Sequence, residues 1–230
     1  MKYRNLFFDL DDTIWAFSRN ARDTFEEVYR KYSFERYFDS FDHYYTIYQQ
    51  RNTELWIEYG EGKITKDELN RQRFSYPLQA VGVEDETLAE KFSEDFFAII
   101  PTKSGLMPYA REVLEYLAPK YNLYILSNGF RELQSRKMRS AGVDIYFKKV
   151  ILSEDLGVLK PWPEIFNFAL SATQSEPRES LMIGDSWEAD ITGAHGVGMH
   201  QVFYNVTERT AFPFLPTYHI HSLKELMDLL

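Results

Sequence analysis

The chain has 230 residues, of which 44% are hydrophobic and 27% are charged, so it is long and apolar enough to fold around a sizeable core. Its formal net charge of −9 argues against binding to nucleic acid polymers, because the overall field repels phosphate backbones. The absence of cysteine excludes disulfides, zinc–thiolate sites and thiol nucleophiles, and fits a reducing compartment.

The apolar stretch near the N-terminus is three residues long and ends in acids, so no signal peptide is predicted. No run approaches the ~18 apolar residues that a membrane-spanning helix needs. We therefore expect no membrane partner and a cytoplasmic location.

Short apolar strands recur along the chain, with helical patterns between them. Strands are predicted at Asn5–Leu10, Asn122–Ser127, Lys149–Leu152, Ser180–Ile183 and Gln201–Tyr204. Helices are predicted near Pro108–Ala118, Arg131–Ala141, Pro163–Ala172 and Trp187–His195, and a capping box at Ser222–Glu225 predicts a C-terminal helix. This alternation favours an α/β fold with a parallel sheet and right-handed crossovers.

One interval interrupts the alternation. Between about residue 16 and residue 102 the pattern is helical throughout, at Arg19–Tyr32, Tyr44–Trp56, Lys66–Val81 and Glu86–Ile100. We predict an α/β core formed by residues 1–15 and 103–230, with residues 16–102 as a helical insertion. The insertion follows the first strand directly, where loops of such sheets carry functional sites, so it is well placed to cover one.

Three acids lie at and just after the end of the first strand, behind its apolar residues Leu6–Phe8. Asp9 and Asp11 are two residues apart, and because the chain leaves the strand here, a loop could bring both carboxylates to one point. Carboxylates held together repel unless a cation lies between them, and Mg²⁺ is the natural partner of hard oxygen ligands. One carboxylate could then attack phosphorus while the other handles the proton. The alternative is a solvated acidic turn.

Polar groups also follow later strands or precede helices. The second strand ends in Ser127, Asn128 and Gly129, which could hold a phosphoryl oxygen or form an ordinary turn. Lys160 precedes a proline and could neutralise phosphate and carboxylate charge, although a lone lysine is usually a solvated surface residue.

A third apolar strand ends in Gly-Asp. Asp185 could complete a Mg²⁺ shell, and Asp190 could orient Lys160 or a metal-bound water. Asp190 could also simply compensate a helix dipole. Each of the four segments is a modest signal by itself, but together, in this order, they form a strong one.

In these segments the chain resembles the haloacid dehalogenase superfamily of phosphatases. The family's four motifs correspond to the run from Asp9 to Thr13, to Ser127-Asn128, to Lys160-Pro161, and to Gly184-Asp185 with Asp190. The resemblance implies a Rossmann-like core, and the helical insertion resembles the C1 cap of that superfamily. Asp12 stands where many relatives carry glycine. Finer features of the second and third motifs, and the cap segment 62–74, are similar to the branch of pyrimidine 5′-nucleotidases and house-cleaning nucleotidases.

The resemblance implies a role for each motif residue. Asp9 attacks phosphorus, and Asp11 protonates the leaving group and then activates water. Mg²⁺ is held by Asp9, Asp185 and the backbone carbonyl of Asp11. The phosphoryl oxygens are bound by Ser127, Asn128 and Lys160, while Thr13 and Asp190 support the site from behind.

We therefore expect a phosphoric monoester hydrolase whose substrate is a small phosphorylated metabolite, most simply a nucleoside 5′-monophosphate. A phosphatase of sugar phosphates or phosphoglycolate is the alternative on the same scaffold. A phosphomutase and a binding protein without turnover are further alternatives, and a dehalogenase is disfavoured because that chemistry does not need Asp11. The sequence leaves the oligomeric state open.

Overall fold

The computed structural model describes residues 2–230, which form two compact units. The first unit runs up to Ser18 and resumes from Ser104 to Leu230, and the second is Arg19–Lys103. The sequence predicted these divisions after residues 15 and 102.

The first unit contains a six-stranded sheet in which all the neighbouring strands are parallel. Its strands are β1 (Asn5–Phe8), β2 (Asn122–Ser127), β3 (Lys149–Leu152), β4 (Ser180–Gly184), β5 (His200–Tyr204) and β6 (Tyr218–Ile220). Their order is β3-β2-β1-β4-β5-β6, with β1 in the interior. All residues of β1 and β4 are buried, as expected for strands covered on both faces. The predicted α/β class with a parallel sheet is confirmed.

The α-helices, in chain order, are α1 (Phe17–Lys31), α2 (Phe41–Gly60), α3 (Lys66–Ala80), α4 (Glu86–Ile99), α5 (Ala110–Leu117), α6 (Arg131–Ser140), α7 (Pro163–Thr173), α8 (Thr192–Gly196) and α9 (Leu226–Leu229). Helices α5 to α9 follow or separate the strands of the first unit. None of the helices in the described range 2–230 is both long and apolar enough to cross a lipid bilayer.

The structure corrects three details of the predicted elements. Strand β1 ends at Phe8 rather than Leu10, because the Leu10 carbonyl accepts hydrogen bonds from the amides of Ile14 and Trp15 and so belongs to a turn. The segment predicted as one helix from Trp187 is a π-helical turn, Trp187–Ile191, followed by α8. Strand β6 was not predicted, since it has three residues and only Ile220 is buried.

The second unit is helical, as its sequence pattern predicts. Helix α3 begins at a capping box, in which the Thr65 hydroxyl accepts from the Glu68 amide and the Glu68 carboxylate accepts from the Thr65 amide. The interior of the second unit is aromatic. The ring centroid of Phe25 lies 4.2 Å from the ring centroids of Tyr48 and Phe96. Most aromatic residues of α1 and α2 thus pack against one another.

Candidate active site at the carboxyl edge of the sheet

The motif residues converge because of strand order. Phe8, the last residue of β1, pairs with Ile125 of β2 and Ile183 of β4. Since the strands are parallel, the residues that follow these positions leave the sheet at one edge. Asp9, Ser127 and Asp185 therefore emerge side by side, although 176 positions separate the first from the last.

Lys160 lies at the centre of this group. Its ammonium group donates to Oδ1 of Asp9 at 2.6 Å, to Oδ1 of Asp190 at 2.6 Å and to the carbonyl oxygen of Leu126 at 2.8 Å. Three acceptors use all three donors of the ammonium group. Because Lys160 is only 4% exposed, these contacts fix the cation rather than letting it sample solvent. The solvated-lysine alternative is therefore wrong.

Asn128 holds the backbone on either side of that lysine. Its side-chain amide donates to the Lys160 carbonyl oxygen at 3.1 Å, and its oxygen accepts from the Lys160 amide at 2.7 Å. The structure thus shows Asn128 anchoring the lysine segment to the end of β2.

Asp185 and Thr13 form a reciprocal pair. The Thr13 hydroxyl donates to Oδ1 of Asp185 at 2.8 Å and accepts from the Asp185 amide at 3.1 Å. Thr13 is fully buried, so the pair connects the loop after β1 to the end of β4. Within residues 2–230 no hydrogen bond engages Oδ2 of Asp185, so this oxygen is available to a ligand.

Asp190 is buried with both of its oxygens engaged. Oδ1 accepts from Lys160, and Oδ2 accepts from the amide of Ser186 at 3.1 Å. The close approach requires glycine at position 184, because a Cβ there would lie 2.1 Å from Oδ2 of Asp190. These contacts make Asp190 the residue that orients Lys160 from behind.

The carboxylates of Asp9, Asp185 and Asp190 form a compact oxygen cluster. One oxygen from each lies within 4.8 Å of the others, close enough to surround a single cation. Hard oxygen donors of this kind suit Mg²⁺. Since both oxygens of Asp190 are engaged by protein donors, Asp9 and Asp185 are better placed to bind a cation directly.

Burial and mutual repulsion shape the charges of the cluster. Burial raises the pKa of Asp9 well above its usual range, despite the opposing Lys160 charge. Burial, followed by the Asp190 charge, raises the pKa of Asp185 to about 7. Burial disfavours the charged form of Lys160, but Asp190 and Asp9 outweigh it, so the pKa of Lys160 is raised. The acids outnumber the cation between them, which is the situation a divalent cation relieves.

Asp11 makes contacts that the sequence did not reveal. Both of its oxygens accept from the ammonium group of Lys137, at 2.9 and 3.1 Å, and Oδ2 also accepts from Nε2 of Gln134 at 2.9 Å. Gln134 and Lys137 lie three residues apart on α6. That spacing places both residues on one helix face, but the sequence does not show that this face is buried against Asp11.

The structure shows how aspartate is accommodated at position 12, where many relatives carry glycine. Its φ of +60° is left-handed, a conformation that glycine adopts without strain and that aspartate tolerates. Its carboxylate accepts from the amide of Ser18 at 2.8 Å and from the Ser18 hydroxyl at 2.6 Å. These hydrogen bonds near the start of α1 offset the backbone strain.

A model of the haloacid dehalogenase-like hydrolases matches residues 3–198 of the chain. The chain belongs to this family. The HAD-hydrolase YfnB of Bacillus subtilis (strain 168) is 33% identical over all of this chain and 96% of its own length. A crystal structure of YfnB, bound to magnesium, matches with a TM-score of 0.89 at 29% identity and covers 100% of this chain and 99% of that one.

Two further relatives are named for activities on phosphate esters. The pyrimidine 5′-nucleotidase YjjG of Escherichia coli (strain K12) is 31% identical over 100% of this chain and 99% of its own length. A glyceraldehyde 3-phosphate phosphatase of Pyrococcus abyssi (strain GE5 / Orsay) is 32% identical over 86% of this chain and 80% of its own. The resemblance inferred from the four motifs is thereby confirmed, and the phosphoric monoester hydrolase class predicted from them agrees with these relatives.

Proposed function

We propose that this protein is a Mg²⁺-dependent phosphomonoesterase that acts through an aspartyl-phosphate on Asp9, with nucleoside 5′-monophosphates as its main substrates. The observation that carries the proposal is the Asp9 carboxylate itself. Asp9 is 8% exposed and follows β1 at the carboxyl edge of the sheet, and its Oδ1 is bound to Lys160, which leaves Oδ2 for the attack on a substrate.

In the first step Oδ2 of Asp9 attacks phosphorus, and the bond between phosphorus and the ester oxygen breaks. The leaving alkoxide takes a proton from Asp11. In the second step Asp11 takes a proton from water, whose oxygen attacks the phosphorus and releases inorganic phosphate and Asp9. Acid–base help of this kind is typically worth ~10²–10⁴-fold in rate.

Ser127 would donate to a phosphoryl oxygen, and Lys160, whose N–H groups are engaged by Asp9, Asp190 and Leu126, would supply positive charge beside it. Asn128 would keep the Lys160 segment in place. Ser127 is suited to this task because its oxygen already accepts from the Gly129 amide at 3.1 Å and from Nε2 of Gln134 at 2.8 Å. With its acceptor positions filled, the hydroxyl proton is free to be donated to a ligand.

The residues present fit a magnesium ion. Asp9, Asp185 and the backbone carbonyl of Asp11 would hold it, with Thr13 and Asp190 fixing the carboxylates around it. When bound, the cation would supply positive charge for the phosphoryl oxygens and for the clustered acids. That YfnB was crystallised with magnesium supports this assignment.

Two observations bear on the substrate. The nucleotidase YjjG matches over the full length of the chain, cap segment included, which supports a nucleotide. The glyceraldehyde 3-phosphate phosphatase matches at 32% identity over a shorter stretch, so a sugar phosphate is the second candidate. Both candidates are small phosphorylated metabolites and share the chemistry proposed for Asp9.

The test is a phosphate-release screen with Mg²⁺ over nucleoside 5′-monophosphates, sugar phosphates, phosphoglycolate and 4-nitrophenyl phosphate. We expect the highest kcat/KM for a nucleoside 5′-monophosphate and no release by Asp9→Asn. Preference for a sugar phosphate would select the second candidate. No release from any ester by folded, Mg²⁺-loaded protein would reject the phosphatase itself.

A further inference from the structure

Helix α6 carries two buried polar residues that contact both the proposed acid and the proposed phosphate-binding hydroxyl. Lys137 is 3% exposed, and Gln134 is fully buried. Polar groups are buried at a cost unless they find partners. Here the partners are the side chains of Asp11 and Ser127.

Lys137 is held firmly. Its ammonium group binds both oxygens of Asp11 and lies 4.8 Å from the centre of the Trp15 ring and 5.1 Å from that of Phe17. A cation over two aromatic faces and against one carboxylate has little freedom to move. The carboxylate that it binds on both oxygens is therefore held in one orientation.

Gln134 bridges Asp11 and Ser127. Its Nε2 donates to Oδ2 of Asp11 at 2.9 Å and to Oγ of Ser127 at 2.8 Å, which uses both of its N–H groups. The oxygen Oε1 is buried without a partner among the described residues, so the amide orientation is set by the two acceptors alone. A Cβ at position 129 would lie 2.0 Å from Nε2, so a side chain there would displace the amide from this bridge.

We propose that Lys137 and Gln134 are positioning residues: Lys137 fixes the direction of the Asp11 carboxylate, and Gln134 couples that direction to the Ser127 hydroxyl. The proposal rests on the proposed function. It says that helix α6, which follows the second motif, holds the Asp11 carboxylate in its orientation, and that the first motif does not do so alone. A misplacement of ~1 Å in a reacting group can cost about a hundredfold in rate, so the loss of this support should be measurable.

The substitutions Lys137→Met, Lys137→Arg and Gln134→Met test the proposal, with Arg139→Met as the control on the same helix. Arg139 is exposed, and its Nε donates to the Ser135 carbonyl oxygen. Each variant is assayed with a nucleoside 5′-monophosphate, whose leaving group needs a proton, and with 4-nitrophenyl phosphate, whose leaving group does not. Thermal unfolding of each variant is recorded in the same buffer.

For Lys137→Met we expect kcat on the nucleotide to fall by about 10–100-fold with KM little changed, and a much smaller loss on 4-nitrophenyl phosphate. Lys137→Arg should recover part of the nucleotide rate, because a guanidinium can also bind both carboxylate oxygens. Gln134→Met should lower both rates and weaken inhibition by inorganic phosphate, because it also releases Ser127. Arg139→Met should match the wild type.

An equal loss on both substrates in Lys137→Met, or rates that match Arg139→Met, would overturn the inference while the wild type still releases phosphate. If Lys137→Met does not fold, Lys137→Gln, which also removes the cation, decides: a loss confined to the nucleotide supports the proposal, and a uniform loss or none overturns it. Absence of phosphate release by the wild type would instead reject the proposed function.

Discussion

The ammonium group of Lys160 lies 2.6 Å from Oδ1 of Asp9 and 2.6 Å from Oδ1 of Asp190. One buried cation thus joins the predicted nucleophile to a buried acid behind it. Among the described residues, hydrogen bonds to the Asp9 carboxylate reach Oδ1 alone, so Oδ2 remains open to a substrate or a cation.

The first prediction concerns Asp9. Asp9→Asn removes the attacking oxygen anion while keeping the side-chain shape, so phosphate release should fall by at least about a thousandfold. Circular dichroism should show that the fold survives. Asp144→Asn, an exposed substitution in the same unit, is the control and should keep full activity. Near-normal turnover by clean Asp9→Asn protein would rule out Asp9 as the nucleophile.

The second prediction concerns the proton that Asp11 is proposed to donate. Asp11→Asn should lower kcat on alkyl phosphates by ~10²–10⁴-fold, because an alkoxide leaves poorly without a proton. The loss on 4-nitrophenyl phosphate should be far smaller, since its leaving group is stable as an anion. Steady-state rates on the two substrates check this. A similar loss on both would mean that Asp11 has only a structural role.

The third prediction is a dependence of metal-free stability on pH. The pKa of Asp185 rises from 3.8 to about 7 in the folded protein, so the folded state binds more protons than the unfolded state between these values. The contribution of Asp185 to the free energy of unfolding should therefore be fully present below this window and be lost as the pH rises through it, by up to about 1.4 kcal/mol per pH unit for one proton. The raised pKa of Asp9 acts in the same direction.

Urea unfolding from pH 4 to pH 8, with chelator and with Mg²⁺, measures this effect. Chelation should also stop phosphate release, and added Mg²⁺ should restore it. Because a bound cation favours the ionised carboxylates, Mg²⁺ should raise stability at pH 8 and flatten the slope. A slope unchanged by Mg²⁺ would show that the cation does not bind at Asp9 and Asp185.

The fourth prediction concerns Gly184. A Cβ at this position would lie 2.1 Å from Oδ2 of Asp190, so Gly184→Ala must displace the acid that orients Lys160. We expect a destabilisation of about 1–3 kcal/mol, from overpacking, together with lower activity. Gly196→Ala is the matched control, because nothing lies within 4 Å of a Cβ there. Equal stability of the two variants would contradict the packing around Asp190.

The fifth prediction separates two arginines of the helical unit. Arg73 is 6% exposed and lies 5.0 Å from the Phe97 ring centre, so Arg73→Met should destabilise the unit by about 1–3 kcal/mol. Arg71 is exposed, with Glu86 at 3.8 Å, and its loss should cost little stability.

If the cap selects substrates, Arg71→Ala should alter nucleotide kcat/KM more than that of 4-nitrophenyl phosphate. Lys91→Ala, on the exposed surface of α4, serves as a comparison. Parallel changes on every substrate across a series of cap substitutions would show that the cap does not select the leaving group.

The sequence by itself indicated the strands, the helical insertion and the four motif segments, because each of these patterns lies within a short stretch of consecutive residues. An apolar run such as Leu6–Phe8 followed by acids can be read without knowing its neighbours. Strand β6 was not predicted from the sequence, because a three-residue strand with one buried residue shows almost no hydrophobic pattern. Its pairing with β5, at Val202 and Tyr218, depends on the rest of the sheet.

What only the tertiary structure decided is which distant side chains touch. Lys137 and Gln134 reach Asp11 across 126 and 123 positions of the chain, and no local pattern encodes that contact. The parallel pairing of β1 with β2 brings α6 beside the acidic loop. The orientation of α6 about its own axis then determines which of its residues face that loop. Motif spacing predicts the groups proposed to perform the chemistry; the packing of helices on the sheet determines which side chains contact them.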